Sequence, residues 1–261
     1  MSLQIAEWTD PAESPAEKGL PASAPEESAM TVGVFDGVHL GHQELIRRIV
    51  MQGPNPTIVT FRENPKKCVS PEHFEGDLFS LKQKLAVFER LGVSRVILID
   101  FSENFSKLRG WEFLDLLENR GKMVFLAIGS NFRCGYQQDT NADLIKEKNR
   151  RKGIPTEVVE PVIVAAGLVS SSRIRSAILS GNLKQAAVLM GRNVELDLSD
   201  LRPEGQVYDF NSVHRIVPAE GKYPVLIYPG RKAGWAITEN GKVYLSGGTV
   251  GPPESLEFIV N

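Results

Sequence analysis

Cysteine is scarce. The 261-residue chain has two, Cys68 and Cys134, in no CxxC arrangement, so a structural disulfide is not expected and the chain reads as reduced and cytoplasmic. Charge of one sign is also lacking. Lys and Arg number 30 against 32 Asp and Glu, a net charge of −2, which leaves no global basic field to grip nucleic acid. No apolar run approaches the roughly 20 residues that a bilayer span needs. The chain opens Met-Ser-Leu and soon turns acidic, which argues against a secretory leader. What is there is a 42% hydrophobic complement, enough for a substantial core. At about 150 residues per domain that gives one to two domains.

Residues 9–29, rich in Pro, Ala, Ser and Glu, read as a loop or mobile arm, so 1–29 is taken as an N-terminal strand and arm. From Thr31 short apolar runs alternate with longer amphipathic ones. Strands are expected at 30–35, 57–61, 95–100, 123–129 and 156–160. Helices are expected at 41–51, 80–91, 110–119, 139–151, 172–180 and 182–190. This alternation predicts an α/β fold with a mostly parallel, Rossmann-like sheet over 30–192, whose ligands sit at the carboxyl ends of the strands. After Arg192 the texture changes to short β-rich runs broken by Glu-Gly, Pro-Gly, Asn-Gly and Gly-Gly. A small antiparallel sheet or barrel of about five or six strands is therefore expected over 193–261. That part carries six Lys/Arg against nine Asp/Glu, so it is no nucleic-acid platform either.

Two of the four histidines fall within "VGVFDGVHLGHQELIRRIV", residues 32–50. If a strand ends near Phe35 and a helix starts near Gly41, His39 and His42 stand at the helix mouth. Unpaired backbone N–H groups and the positive end of the macrodipole point the same way there. Asp36 lies just upstream, and Gly37 and Gly41 let a ligand approach the backbone without a Cβ in the way. The construction suits a nucleotide whose phosphates rest on the helix N-terminus. Three later stretches offer further polar groups. "VTFRENPKKCV" (59–69) follows the second strand, "AIGSNFRCG" (127–135) the fourth, and "VSSSRIRSAILSGNLKQAAVLMGR" (169–192) opens a helix. Serines 170–172 there supply N-cap hydroxyls. Arg173 and Arg175 oppose the macrodipole and so require an anion, a role a triphosphate fits.

His-x-Gly-His after the first strand resembles the HIGH-type signature of the nucleotidyltransferase superfamily. The longer string "VGVFDGVHLGHQELI" is similar to the adenylyltransferase module of the prokaryotic bifunctional riboflavin kinase/FMN adenylyltransferase (FAD synthetase) family. The resemblance covers about residues 30–192. Thr60, Phe61 and Pro65 match the family's flavin loop, with Asn64 where histidine is expected. Asn131, Phe132, Arg133 and Gly135 match a second motif, in which Cys134 replaces an aromatic. The 169–192 string matches a third, in which Ser172 replaces threonine.

The resemblance implies transfer of AMP from ATP to FMN, giving FAD and pyrophosphate, with Mg²⁺ accompanying ATP and no metal site built from protein ligands. It implies phosphate and transition-state contacts from His39, His42, Ser171, Ser172 and Arg175. Gly33, Phe35, Asp36, Gly41 and Arg173 fall to ATP, and Phe61, Asn64, Pro65, Asn131 and Arg133 to the flavin. ATP and FMN are then the partners, with no nucleic acid and no membrane. The chain gives no indication of oligomeric state. In this family a riboflavin kinase barrel follows, with a Pro-Thr-Ala-Asn loop that is absent here, while "VPAEGKYPVLI" (217–227) and "ESLEFIV" (254–260) resemble barrel segments. Residues 193–261 are thus expected to be a degenerate, kinase-inactive version of that barrel. Two rivals remain: a nucleotidyltransferase of the same fold with a pantetheine, nicotinamide or glycerol phosphate acceptor, and a non-catalytic flavin- or nucleotide-binding protein.

Overall fold

The computed structural model describes residues 2–8, 26–101, 103–247 and 252–260. Most of the expected arm, 9–25, lies outside the described residues. Contacts divide the chain into two compact units. The first comprises Met1–Phe35, Gly41–Pro71 and Leu85–Val162, and the second Asp36–Leu40, Glu72–Lys84 and Ile163–Asn261.

The first unit is built on a six-stranded parallel sheet of β1 (Gln4–Glu7), β2 (Ser28–Val32), β3 (Thr57–Phe61), β4 (Arg95–Ile99), β5 (Met123–Gly129) and β8 (Thr156–Val159). Their spatial order is β1-β4-β3-β2-β5-β8, and every pairing is parallel. The order runs one way from β2 through β3 and the other way through β5, so the switch point lies between β2 and β5. Buried on both faces, β4 and β5 are nearly continuous apolar runs, as parallel strands under helices require, while β2 and β3 also bury Ser28, Thr31, Thr57 and Thr60. Helices α1 (Leu40–Gln52), α2 (Lys66–Val69), α3 (Leu81–Arg90), α4 (Glu103–Lys107), α5 (Gly110–Asn119) and α6 (Ala142–Arg151) connect them, with a two-residue pairing of β6 (Arg133–Cys134) and β7 (Thr140–Asn141) before α6. The α6 cap is local chemistry: Asn141 Oδ1 accepts the Leu144 N–H at 3.0 Å. Trp8, just after β1, is buried against Phe105 and Phe113, with ring centroids 5.8 and 5.7 Å away.

The strands expected at 95–100 and 156–160 each end one residue earlier, at Ile99 and Val159, and the first expected strand shifts at both ends. β2 starts at Ser28, because Ser28 and Ala29 pair with Met123 and Phe125 of β5; the arm ends before them. It stops at Val32 rather than Phe35, because Phe35 turns to φ 53°, which no strand residue adopts.

The second unit carries hairpin strands β9 (Ile163–Val164) and β10 (Gly167–Leu168), then α7 (Ser171–Leu179) and α8 (Leu183–Met190). Both helices are capped as their sequences dictate. Ser170 Oγ accepts the Arg173 N–H at 3.2 Å, and Asn182 Oδ1 accepts the Gln185 N–H at 3.1 Å. Gly191, at φ 70°, ends α8. An antiparallel sheet follows, made of β11 (Glu195–Asp197), β12 (Val207–Asp209), β13 (Gly221–Tyr228), β14 (Lys232–Glu239), β15 (Lys242–Ser246) and β16 (Ser255–Phe258) in the order β11-β16-β13-β14-β15-β12. The change of texture at 193 falls inside this unit, where the sheet begins. Among the described residues no helix is long and apolar enough to cross a membrane.

Candidate functional site

The segment between β2 and α1 is bent by three left-handed residues, Phe35 (φ 53°), Gly37 (φ 75°) and Val38 (φ 37°). For the two non-glycine residues such geometry costs on the order of 1 kcal/mol each, and it persists only where surrounding contacts enforce it. Gly37 is required twice over, since a Cβ there would also stand 2.8 Å from Leu78 Cδ1. In the second unit the enforcement is dense. Ser171 Oγ donates to the Asp36 carbonyl at 2.9 Å, and the Leu78 N–H donates to Asp36 Oδ1 at 2.9 Å. Arg192 donates to the carbonyls of Gly37 and Val38 and lies over the Phe79 ring at 4.8 Å.

Asp36 and Arg175 form a buried ion pair, Nη2 to Oδ2 at 2.7 Å, and Arg175 Nε donates to the Gly76 carbonyl at 3.0 Å. Burial, with the Asp77 carboxylate adding, pushes Asp36 up to about 6, while Arg175 and the Leu78 N–H pull the other way. The expectation that the α7 arginines need an external anion is met differently: Asp36 supplies the carboxylate for Arg175. Arg173 Nη1 donates to the carbonyls of Val164 and Leu168, at 2.9 and 3.3 Å, tying the β9–β10 hairpin to α7. Ser172, beside them, is exposed.

His39 is 6% exposed. Burial, then the nearby Arg192 charge, pulls its imidazole down to about 4, so at pH 7 it is neutral and carries one ring N–H. His42 lies in the first turn of α1, where it meets the fully buried Phe35 ring at 5.1 Å. Phe35 also packs on Phe88 at 5.7 Å. Gly33 is needed beside this ring, since a Cβ there would come within 3.2 Å of Phe35 Cε2. Gly41 directly precedes His42 in the same turn of α1.

The residues expected on the flavin side lie on two loops of the first unit, after β3 and after β5. Phe61 joins an aromatic cluster, edge-on to Phe101 at 5.8 Å and Phe105 at 5.9 Å. Asn64 is buried, and its Oδ1 accepts the Lys66 N–H at 3.2 Å; Pro65 directly precedes α2. After β5, the Phe132 N–H closes a tight turn on the Gly129 carbonyl at 2.9 Å. Asn131 and Arg133 are exposed on that turn and the strand that follows it. Burial, then Asp139, pushes the Cys134 thiol up to about 12, so it packs as an inert apolar group.

Asp36, His39, Ser171 and Arg175 are thus brought together in the second unit, and Gly33, Phe35 and His42 in the first. Sequence reasoning missed Arg192, although it closes the string already recognised at 169–192. It also missed Gly76 and Leu78, whose backbone groups carry no signal in the sequence. Among the described residues no group of three or more His, Cys, Asp or Glu is gathered to hold a metal.

Comparison with known proteins adds independent findings. The family model described as FAD synthetase matches residues 22–173, more than half of the chain. The bifunctional riboflavin kinase/FMN adenylyltransferase of Buchnera aphidicola (subsp. Acyrthosiphon pisum) is 27% identical over 170 residues, 63% of this chain and 54% of that protein. The Escherichia coli K12 protein of the same name is 27% identical over 176 residues, 65% of this chain and 56% of its own length. The chain therefore matches just over half the length of these relatives. A crystal structure described as a macrolide-efflux protein from Streptococcus pneumoniae shares the fold, with a TM-score of 0.80 over 98% of this chain and 89% of that one at 23% identity. A family model that spans β2 to the first turn of α7, and so takes in the bent His39 segment, Asp36 and Ser171, shows that the chain belongs to the FAD synthetase family.

Proposed function

We propose that this chain transfers AMP from MgATP to the phosphate of FMN, giving FAD and pyrophosphate. The observation that carries the reading is His39: a buried, neutral imidazole in a strained, heavily braced turn at the N-terminus of α1. Strain of this kind is maintained where geometry matters to function, and a neutral imidazole at the start of a helix is a donor suited to phosphate oxygens.

The nucleophile is an FMN phosphate oxygen, already anionic at neutral pH, so no side chain need act as its base. It attacks the α-phosphorus of ATP. The new P–O bond forms as the bond to the β-phosphate's bridging oxygen breaks, and pyrophosphate leaves with the electron pair. Catalysis is then positioning and charge stabilisation. His39 and His42 donate to the α-phosphate as its charge develops. Ser171 and Ser172 hold the β and γ phosphates, with Arg173 beside them. Arg175 acts mainly through Asp36, fixing the turn, while Gly33, Phe35 and Gly41 shape the adenosine side. Phe61, Asn64, Pro65, Asn131 and Arg133 take the flavin. Magnesium enters as part of the substrate, which suits an ion that keeps several waters and binds chiefly through phosphates.

The Asn64 side chain caps α2 through the Lys66 N–H, which favours keeping a second reading open: the same transfer to another phosphate-bearing acceptor. The sheet from β11 to β16 is read as a kinase-inactive relative of the family's barrel, because the chain lacks the Pro-Thr-Ala-Asn loop. Pyrophosphate release in the presence of MgATP and each candidate acceptor separates these readings. His39→Ala should lower FMN-dependent release by about 100-fold or more, the scale of losing one preorganised donor, with the fold intact by circular dichroism. Turnover within a few-fold of the parent would remove His39 from the mechanism.

A further inference from the structure

Asp36 is held from two directions, and both lead to one short segment. Its Oδ1 accepts the Leu78 N–H at 2.9 Å, and its Oδ2 pairs with Arg175, whose Nε donates to the Gly76 carbonyl at 3.0 Å. Residues 76–80 thus close a ring of contacts around the carboxylate that anchors the His39 turn. Yet this segment has no helix and no ladder of its own, only a single bridge at Asp77. Something else has to fix its position.

The antiparallel sheet and its flanks do so at three points. The Asp77 N–H donates to the His214 carbonyl at 2.9 Å, and the Ile216 N–H donates back to the Asp77 carbonyl at 3.1 Å. Ser80 Oγ donates to Asp197 Oδ2, in β11, at 2.6 Å. Gln83 Nε2 donates to the Glu195 carbonyl, also in β11, at 3.0 Å. Asp197 is itself locked. Its Oδ1 accepts both the N–H and the hydroxyl of Ser199, at 3.0 and 2.7 Å, and its carbonyl accepts Arg215 Nη1 at 3.0 Å. Arg215 pairs in turn with Asp200 and lies 5.3 Å from the Phe210 ring centroid.

Asp197 is 3% exposed and Arg215 8%. Burying such charges seldom adds net stability over an apolar alternative, and their best-attested use is to select one geometry over others. All of these groups, from the His39 turn to Arg215, belong to the same compact unit.

We propose that Ser80, Asp197 and Arg215 are positioning residues for the His39 turn. The sheet holds Ser80, Ser80 holds the 76–80 segment, and that segment holds Arg175 and Asp36, the latter three residues before His39 in the same turn. The C-terminal sheet is then a working part of the transferase. The proposal rests on the adenylyl-transfer reading only for its kinetic consequence; the mechanical coupling can be tested without it.

Ser80→Ala removes the hydroxyl that joins the segment to Asp197, and Ser80→Thr retains it. Tyr228→Phe is the control: it removes the hydroxyl that donates to Glu257 Oε2 at 2.8 Å and also meets Arg231, in the same sheet but away from the 76–80 segment. Steady-state FAD formation and amide hydrogen exchange are measured on all three and on the parent. Ser80→Ala should lower kcat by about tenfold or more, since a misplacement of ~1 Å can cost about 100-fold. KM for FMN should stay within about twofold, Ser80→Thr should recover most of the rate, and Tyr228→Phe should match the parent. Amides of 36–40 and 76–80 should exchange at least about tenfold faster in Ser80→Ala, with those of β3 and β5 unchanged. Unchanged exchange at 36–40 in Ser80→Ala, or equal effects from Tyr228→Phe, overturns the coupling. A parent that forms no FAD from FMN overturns the functional reading and the kinetic half of the proposal, while the exchange comparison still decides the coupling. A parent that forms FAD, with Ser80→Ala at full rate, overturns the positioning role alone.

Discussion

Replacing Arg175 with methionine keeps most of the side-chain volume and removes the cation facing Asp36. The cost should depend on pH, and the sign follows from the carboxylate. In the parent, burial has already raised Asp36 to about 6, above the 3.8 of a free aspartate. The folded state therefore binds more protons than the unfolded state between those values, and this contribution to stability is lost as pH rises through about 6. Without Arg175 the folded value moves higher still, so the variant goes on losing stability after the parent has levelled off. Each pKa unit added is worth about 1.4 kcal/mol, so the penalty grows with pH above the parent's value until the variant carboxyl itself ionises. The lost Nε bond to Gly76 adds about 1 kcal/mol at any pH. Arg175→Met should thus cost about 1 to 2 kcal/mol at pH 5, rising by pH 8 toward the roughly 3–5 kcal/mol typical of a broken buried pair. Equilibrium urea unfolding at the two pH values measures it. In the Arg175→Met, Asp36→Asn double variant the pH dependence should vanish. A penalty for the single variant that is the same at pH 5 and pH 8 would refute the reasoning.

Two further outcomes follow from the same turn. Gly37→Ala forces a Cβ onto a φ of 75° and to within 2.8 Å of Leu78 Cδ1, so it should cost about 1–3 kcal/mol of stability and lower FAD formation more than it changes FMN binding, as read by flavin fluorescence titration. His39, pulled down to about 4, is neutral throughout the physiological range; log kcat should show no fall with a midpoint near 6.5 between pH 6 and 8, and such a fall would mean that an imidazolium is required. For stability the sign is opposite to that of Asp36: the His39 contribution is complete above about 6.5 and is lost as pH falls toward 4.

The parallel sheet was legible because its inner strands are buried on both faces, which forces runs such as "RVILI" and "MVFLAIG" to be apolar almost throughout. β1 was not placed in the sheet, because four residues, Gln4–Glu7, with two apolar side chains become a strand only when β4 lies alongside to pair with them. Phe35 read as strand because it is apolar and buried; the left-handed turn that buries it has no compositional mark. Asn64 did carry a usable signal, since Asn-Pro ahead of a short helix is a turn and capping pattern. The partners of Arg175 could not be read. Asp36 lies 139 residues away and Gly76 lies 99 residues away, and no local rule links positions so far apart. The same holds for Ser80 and Asp197, 117 residues apart. The motifs were visible as lists of chemical groups, and the contacts that orient those groups became visible only in three dimensions.

Incubating the purified protein with MgATP and either FMN or riboflavin, and separating the flavins by chromatography, tests the central claim most directly. The account predicts FAD and one equivalent of pyrophosphate from FMN, and no FMN from riboflavin. No FAD from FMN, under conditions where both nucleotide and flavin bind, would contradict it.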